Sequence, residues 1–124
     1  MQQLLTELQP KVLDWYDWYE RKLSNQSYRC SFGYRERTSN LNEQSSLDDY
    51  PRAVNVHDRA EIHLDLQSQM IEFALTLQQY SAIMQGADSA WALEFGEKAR
   101  CLATTLQEAL LNESLGRYAD YVNL

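Results

Sequence analysis

Two acids, an aromatic ring and a guanidinium occur within five positions of this chain, in the string Asp48-Asp49-Tyr50-Pro51-Arg52. Neighbouring side chains on an extended backbone point to opposite sides, so only one of the two aspartates is expected to face a given cleft. An aromatic wall beside a carboxyl group raises its pKa by desolvation, which a general acid at neutral pH requires. Arg52 can hold that carboxylate or donate to a polyol. The same spacing is also typical of a turn with solvated charges, and both interpretations stay open on spacing alone.

A second group of chemically capable side chains consists of Glu61, His63 and Asp65. On a helix, Glu61 and Asp65 are four residues apart and share a face, where two like charges repel by a few tenths of a kcal/mol. Glu61 also follows Asp58 by three residues, the spacing of a capping box, so a purely structural role is an alternative. The pattern lacks the helical pair of histidines at four-residue spacing that is typical of zinc sites. We therefore expect no metal here.

The start of the chain is predicted to form a helix, because apolar side chains recur there at intervals of three and four residues. These side chains are Leu5, Leu8, Val12, Trp15, Tyr19 and Leu23. Pro10 is expected to kink or restart this helix and to lie near a first turn. From about residue 25 to residue 57 no period holds, which indicates disorder or a site-forming loop. The aromatic residues of that stretch favour an ordered loop.

Two further helices are predicted to form an antiparallel hairpin, giving an all-α fold. The first begins at Asp58 and ends at Gly86, and Asp88 caps the second. Gly96 inside the second helix costs roughly 1 kcal/mol relative to alanine, which suggests close packing against a neighbour. The predicted apolar stripes are Leu66, Met70, Phe73, Leu77, Tyr80 and Met84, and then Trp91, Phe95, Ala99, Leu102, Leu106 and Ala109.

Composition restricts the class of protein and its partners. With 124 residues the chain can form one small domain, and 11 basic against 18 acidic residues give a net charge of −7, which argues against nucleic acid as a partner. No apolar run is long enough to cross a membrane, and the first residues lack the order of a signal peptide. The two cysteines, Cys30 and Cys101, are expected to form neither a zinc site nor a disulfide framework.

Several strings of the sequence carry a family resemblance. Residues 46–53, read as S-L-D-D-Y-P-R-A, and residues 61–66, read as E-I-H-L-D-L, resemble the mannosyl-oligosaccharide glucosidases (processing α-glucosidases I) of glycoside hydrolase family sixty-three. Members typically read S-G-L-D-D-Y-P-R-A and then E-R-H-L-D-L-R-C-W. Residues 32–37 resemble the family's Y-R-W-R-G-R segment, and residues 118–121 resemble a downstream F-A-D-Y. The similarity runs in order over nearly the whole chain, and D-D-Y-P-R is its most specific part.

The resemblance implies a fold and an activity. The catalytic domain of the family is an (α/α)6 toroid, of which this chain would be a partial one. The family removes the terminal glucose from glucosylated N-glycan precursors in the lumen of the endoplasmic reticulum, with inversion and without a metal or other cofactor. The implied partner is therefore a glucosylated oligosaccharide.

The resemblance also implies roles for particular residues. Asp48 falls on the general acid, and Arg52 falls on a substrate-contacting arginine. The full set expected at the substrate is Asp49, Tyr50, Arg52, Tyr34, Arg37, Glu61, His63 and Asp65. The sequence departs from the family pattern at Ser46, which replaces a glycine, and at Gln67-Ser68-Gln69, which replace R-C-W.

Length gives the last expectation. The chain is too short for a toroid, so residues 1–124 are interpreted as one segment of an incomplete catalytic domain, with the motif carried by the loop at 25–57. The family's catalytic base is a glutamate much later in the chain. We therefore expect the isolated segment to be inactive, without membrane contact, and able to pair with the rest of the domain. The alternative is a non-catalytic helical remnant or a module that binds glycans or proteins.

Overall fold

The computed structural model describes residues 1–25, 28–34 and 61–122, and it is mostly helical, which confirms the predicted all-α class. The three α-helices are α1 (Gln2–Leu23), α2 (Leu64–Gln85) and α3 (Ala90–Thr105). A π-helical turn, Leu106–Leu110, continues α3 directly. The described residues also contain four two-residue strands, numbered in chain order: β1 (Glu61–Ile62), β2 (Leu111–Asn112), β3 (Arg117–Tyr118) and β4 (Tyr121–Val122). Strand β1 directly precedes α2, and the other three follow the π-helical turn.

The helices α2 and α3 form the predicted hairpin. Gly86 ends α2 at a φ of +102°, a conformation that favours glycine. The hydroxyl of Ser89, one residue after the predicted Asp88, caps α3. A Cβ on Gly96 would lie 2.9 Å from Nε2 of Gln78 on α2, so the expected close packing at this glycine is confirmed.

The interior of the hairpin follows the predicted stripes, with two differences. The stripe residues buried as expected are Leu66, Met70, Leu77, Phe95, Ala99 and Leu102. Trp91 is instead 43% exposed, at the outer end of α3. Leu110 is buried where the α-helical period predicted Ala109, because the π-helical turn adds a residue to the spacing.

Helix α1 differs from its prediction in two respects. It is one helix that contains Pro10 in its interior, so the restart and the first-turn position were wrong. Its buried face centres on Tyr16 rather than on Trp15, which is 60% exposed. The Tyr16 ring packs edge-on against Phe73 of α2 and Phe95 of α3, with centroid distances of 5.2 and 5.1 Å. This contact with both hairpin helices explains why Tyr16 is buried instead of Trp15, whereas Leu23 is buried as predicted.

Polar contacts hold both ends of α1 to the hairpin. Near its start, the side-chain amides of Gln9 and Gln85 exchange two hydrogen bonds of 3.0 and 2.8 Å. Near its end, Nζ of Lys98 lies 2.7 Å from Oε1 of Glu20 and also above the Tyr16 ring. The first helix is therefore fixed in position along its length.

The start of α2 also corrects a prediction. The helix begins at Leu64 rather than after Asp58, which lies outside the described residues. Glu61 belongs to β1, which pairs antiparallel with β4, so Glu61 is not a capping-box residue and shares no helical face with Asp65. The carboxylate of Asp120 instead accepts the Leu64 N–H at 2.8 Å. Asp120, which is distant in sequence, thus accepts a backbone N–H at the start of α2, where the local spacing predicted a capping box of Asp58 and Glu61.

The two cysteines form a single disulfide, with their Cα atoms 5.8 Å apart, which the sequence did not predict. Cys30 lies in the segment 28–34, and Cys101 lies on α3, 71 residues further on. Residue count and spacing cannot predict such a pairing, because the two positions meet only when the segment 28–34 packs against the hairpin. In the chain-entropy description, closing a loop of this size stabilises the fold by about 4 kcal/mol.

Gln67 is a fully buried polar residue at the centre of these contacts. Its Oε1 accepts the Phe32 N–H at 3.0 Å. Its Nε2 donates to the carbonyl oxygens of Cys30 at 2.9 Å and Leu102 at 3.0 Å. One side chain of α2 thereby joins the segment 28–34 to both hairpin helices.

Replacing Gln67 with methionine tests this joint. Gln67→Met keeps the volume but leaves the buried Phe32 N–H without its acceptor, so the free energy of unfolding is expected to fall by about 2–3 kcal/mol. Gln69→Met, on the exposed side of the same helix, is the matched control and is expected to change it by less than about 0.5 kcal/mol. Urea unfolding followed by circular dichroism measures both. Equal effects of the two substitutions would contradict the assignment.

Alkaline pH tests the burial of Tyr16. Burial, with smaller contributions from Glu20 and Glu94, raises the pKa of Tyr16 well above its usual range. The folded chain therefore keeps this phenol neutral, whereas the unfolded chain ionises it above about pH 10. Stability from this group is complete below that pH and is lost as the pH rises beyond it.

We expect Tyr16→Phe to show a smaller loss of stability between pH 9 and about pH 11 than the unsubstituted chain. Tyr118→Phe, at an exposed position, is the control and should leave the alkaline loss unchanged. Denaturant midpoints across that pH range provide the measurement. The account of Tyr16 fails if its substitution leaves the pH profile where it was.

Candidate functional site

The structure describes four of the residues that the sequence predicted at the substrate, and it brings them together at the start of α2. These four are Tyr34, Glu61, His63 and Asp65. The remaining predicted residues lie outside the described ranges, so their roles stay predictions: Arg37, Asp48, Asp49, Tyr50 and Arg52. The four described side chains are referred to below as the His63 cluster.

His63 is the centre of the cluster, and its hydrogen bonds define its protonation state. Its side chain is fully buried, and Nδ1 accepts the Tyr34 N–H at 2.8 Å. Because a backbone N–H can only donate, Nδ1 carries no proton and the proton of the neutral ring is on Nε2. Nε2 then donates to Oε2 of Glu61, 2.8 Å away. His63 is thus a neutral ring that is fixed at both nitrogens.

Tyr34 connects His63 to Asp65. Its ring lies 5.2 Å from the His63 ring between centroids, and its hydroxyl donates to Oδ2 of Asp65 at 3.0 Å. The side chain is only 6% exposed. Tyr34 therefore contacts one cluster member through its backbone and ring, and another through its hydroxyl.

Backbone hydrogen bonds place the segment that carries Tyr34. The segment 28–34 runs back alongside the end of α1, where the Gly33 N–H donates to the Leu23 oxygen at 2.9 Å. The Asn25 N–H donates to the Ser31 oxygen at 2.7 Å. On the other side, the His63 N–H donates to the Phe32 oxygen at 3.1 Å. The segment is held between the end of α1 and the start of α2.

Three residues that support the cluster were not among the predicted site residues. Gln67 holds the backbone of the segment 28–34, and Asp120 caps α2. Nδ2 of buried Asn25 donates to the backbone carbonyl oxygen of Glu61 at 3.3 Å. The F-A-D-Y resemblance was a signal for Asp120. The sequence gave no indication of a supporting role for Gln67, which stands where the family pattern has an arginine.

Burial limits what the cluster can do by itself. The side chains of Glu61 and His63 are both fully buried, and they are bonded to each other. Such an arrangement positions backbone and neighbouring side chains, and it is the form in which paired polar groups are tolerated in a protein interior. Direct contact of these residues with a substrate stays a prediction.

A cavity of about 530 Å³ lies beside the segment 28–34, between the end of α1 and α3. Its walls include Phe32 and Leu102, and its charged lining is Glu20, Arg21 and Lys98. No member of the His63 cluster lines it. The cavity is therefore separate from the His63 cluster.

Within residues 1–25, 28–34 and 61–122, no three side chains of His, Cys, Asp or Glu lie close enough to share a metal ion. Over the same ranges, no helix combines the length and the apolar character needed to span a bilayer.

Substitution of Asp120 tests its role at the start of α2. Asp120→Ala removes the acceptor of the Leu64 N–H, and a lost helix cap costs about 1–2 kcal/mol of unfolding free energy. Asp120→Asn keeps an acceptor oxygen in the same place and is expected to cost less than half as much. Thermal and urea unfolding compare the two variants. If asparagine were as damaging as alanine, the capping contact would not explain the effect.

Comparison with known proteins identifies the family of this chain. Searches of the curated proteins and of the solved structures gave no match. The sequence profile described as the glycosyl hydrolase family 63 C-terminal domain matches residues 1–124, which is the whole of the sequence considered, and this confirms the resemblance seen in the motifs. The chain belongs to glycosyl hydrolase family 63.

Proposed function

We propose that this chain is the acid-bearing part of an inverting α-glucosidase, which removes the terminal glucose from glucosylated N-glycan precursors. The observation that carries the proposal is the family match over residues 1–124. Membership of this family makes glycoside hydrolysis the reaction class. The particular substrate and linkage come from the likeness of the D-D-Y-P-R and E-I-H-L-D-L strings to those of the processing glucosidases.

The chemistry of inversion assigns the proposed roles. One carboxylic acid protonates the leaving oxygen, and a second carboxylate about 6.5–9.5 Å away activates a water on the opposite face of the sugar. In this proposal Asp48 is the acid, and Arg52 with Tyr50 contacts the glucose. The base comes from a part of the catalytic domain that this sequence does not include.

The His63 cluster supports the proposed position of the acid. Residues 35–60, which contain Asp48, are bounded by Tyr34 on one side and Glu61 on the other. The Tyr34 N–H bonds to Nδ1 of His63, and Glu61 bonds to the other nitrogen of the same ring. Both ends of the motif-bearing stretch are thus anchored in one buried network. A catalytic acid can be placed precisely only when neighbouring structure holds the backbone that carries it, and this network holds both ends of that backbone.

The hairpin supports the proposed architecture. Two long antiparallel helices with a short connection are the repeating unit of α/α folds, and α2 with α3 forms such a unit. We propose that residues 1–124 are one segment of an (α/α)6 catalytic domain. The exposed Trp15, Ile83 and Leu93 are then candidates for contact with further helices of that domain.

The disulfide supports the proposed compartment. Structural disulfides persist in oxidising environments such as the lumen of the endoplasmic reticulum and are rare in the cytosol. The Cys30–Cys101 bond is therefore in keeping with glycan processing in that lumen.

A non-catalytic glycan-binding module is the second candidate, and one observation favours it. The carboxylates of the His63 cluster already have partners, because Glu61 accepts from His63 and Asp65 accepts from Tyr34. Neither has the arrangement of a base that activates water. In this second candidate the chain binds the terminal glucose and catalyses nothing.

Glucose release and glycan binding test these candidates, because release would exclude the non-catalytic module and both candidates require binding. The purified 124-residue chain is incubated with a glucosylated N-glycan, and free glucose is measured with a coupled assay. We expect no release above background, because the base is missing. Saturation-transfer nuclear magnetic resonance on the same sample is expected to show contact with the terminal glucose, and Arg52→Ala should weaken this contact at least about tenfold, as loss of a charged hydrogen bond does.

The control is Arg100→Ala, an exposed arginine on α3, which should leave glycan binding unchanged. Release of glucose that disappears in Asp48→Asn would establish the acid and overturn the expectation that the segment is inactive alone. Absence of both release and binding would overturn the proposed function and leave a helical remnant.

A further inference from the structure

The disulfide is connected to the His63 cluster through a short, continuous set of contacts. We propose that the Cys30–Cys101 bond positions Tyr34 against His63 and Asp65, so that reduction of the disulfide releases Tyr34 while the α2–α3 hairpin stays folded. The inference concerns the arrangement of the cluster, and it stands whether or not the chain acts on glycans.

The backbone at Cys30 has a conformation that the disulfide helps to hold. Cys30 has a φ of +52°, in the left-handed region. That region is unfavourable for a residue with a Cβ, so it persists only where the surroundings hold it. The disulfide to α3 holds the Cys30 side chain, and Nε2 of Gln67 holds its carbonyl oxygen. Removing the disulfide leaves this turn with the Gln67 contact, with the bond from the Thr105 hydroxyl to the Arg29 oxygen and with the bond from the Ser31 hydroxyl to the Tyr28 oxygen. The backbone bonds of the following residues, Ser31 to Gly33, also remain.

The path from Cys30 to the cluster runs through Tyr34. Tyr34 follows Cys30 by four residues, and the Tyr34 N–H is the donor that occupies Nδ1 of His63. The left-handed turn at Cys30 sets the direction in which Phe32 and Tyr34 leave it. If this turn relaxed, Tyr34 would be redirected. The bond from the Tyr34 N–H to His63 and the bond from its hydroxyl to Asp65 therefore both depend on the conformation at Cys30.

The hairpin is held by contacts between its own two helices. The helices α2 and α3 share the largest set of contacts between elements of the described structure. Phe32 and Tyr34 of the segment 28–34 share one buried apolar cluster with Met70, Leu77 and Phe95, so the independence of the hairpin rests on its own helix–helix contacts and not on a separate core. Loss of the disulfide is therefore expected to act on the segment first.

Reduction itself is an ordinary thiol–disulfide exchange. A dithiol such as dithiothreitol supplies two electrons and becomes a cyclic disulfide. The S–S bond between Cys30 and Cys101 breaks, and each sulfur takes up one proton to become a thiol.

Nuclear magnetic resonance of the ¹⁵N-labelled chain tests the proposal before and after dithiothreitol. In the oxidised chain we expect the His63 Nδ1 resonance of a hydrogen-bonded acceptor and a protected Tyr34 amide. After reduction, Nδ1 should shift to the value of a free acceptor, and the Tyr34 amide should exchange at least about tenfold faster. The amides of Met70 and Phe95 should stay protected.

Cys101→Ser is the matched variant, which should resemble the reduced chain and be insensitive to dithiothreitol. Arg100→Ser, next to it on the exposed side of α3, keeps both cysteines and should behave like the unsubstituted chain before and after dithiothreitol. An unchanged His63 Nδ1 and Tyr34 amide after reduction would overturn the proposal. Simultaneous loss of protection at Tyr34, Met70 and Phe95 would overturn it too, because the disulfide would then stabilise the whole fold rather than position one residue. If Cys101→Ser does not fold, reduction of the folded chain gives the same comparison.

Discussion

A buried amide that must be paired on all sides organises this structure. The side chain of Gln67 is enclosed in the hairpin, where an unpaired polar group costs about 1–3 kcal/mol. Its three hydrogen bonds end on Phe32, Cys30 and Leu102, so a single requirement for pairing fixes a separate segment of chain against two helices. The family pattern has an arginine at this position. The substitution by glutamine therefore exchanges a charge for a neutral group that can both donate and accept.

The same requirement for pairing extends from Gln67 to the candidate site. Once Phe32 is held, its oxygen accepts the His63 N–H and the next amides align with the end of α1. Tyr34 then meets the His63 ring, and Asp120 completes the start of α2 from the other side. Two strings of the family pattern, around Tyr34 and around His63, thus become neighbours although nearly thirty residues separate them. Their contact gives a physical reason for the co-occurrence of the two strings.

Periodic elements were predictable from the sequence, whereas contacts between distant residues were not. The spacing of Leu66, Met70 and Leu77 identified α2, because a helical face repeats locally. The spacing of Asp58 and Glu61 imitated a capping box, but pairing of β1 with β4 took Glu61 out of the helix. The true cap, Asp120, lies far along the chain in the F-A-D-Y-like string, and that string gave no indication of its contact with Leu64. The disulfide was missed for the same reason. For the site, the motifs identified Tyr34 and His63, while the burial of Glu61 and the bonding of both ring nitrogens depend on tertiary structure.

The central claim is that the bond from the Tyr34 N–H to His63 fixes one end of the stretch that carries Asp48. A nuclear Overhauser spectrum of the oxidised chain tests it most directly, because the Tyr34 and His63 rings lie 5.2 Å apart between centroids. The account predicts cross-peaks between the ring protons of Tyr34 and those of His63, together with a single neutral His63 resonance whose proton is on Nε2. Absence of these cross-peaks, with Tyr34 ring shifts typical of an exposed tyrosine, would contradict it.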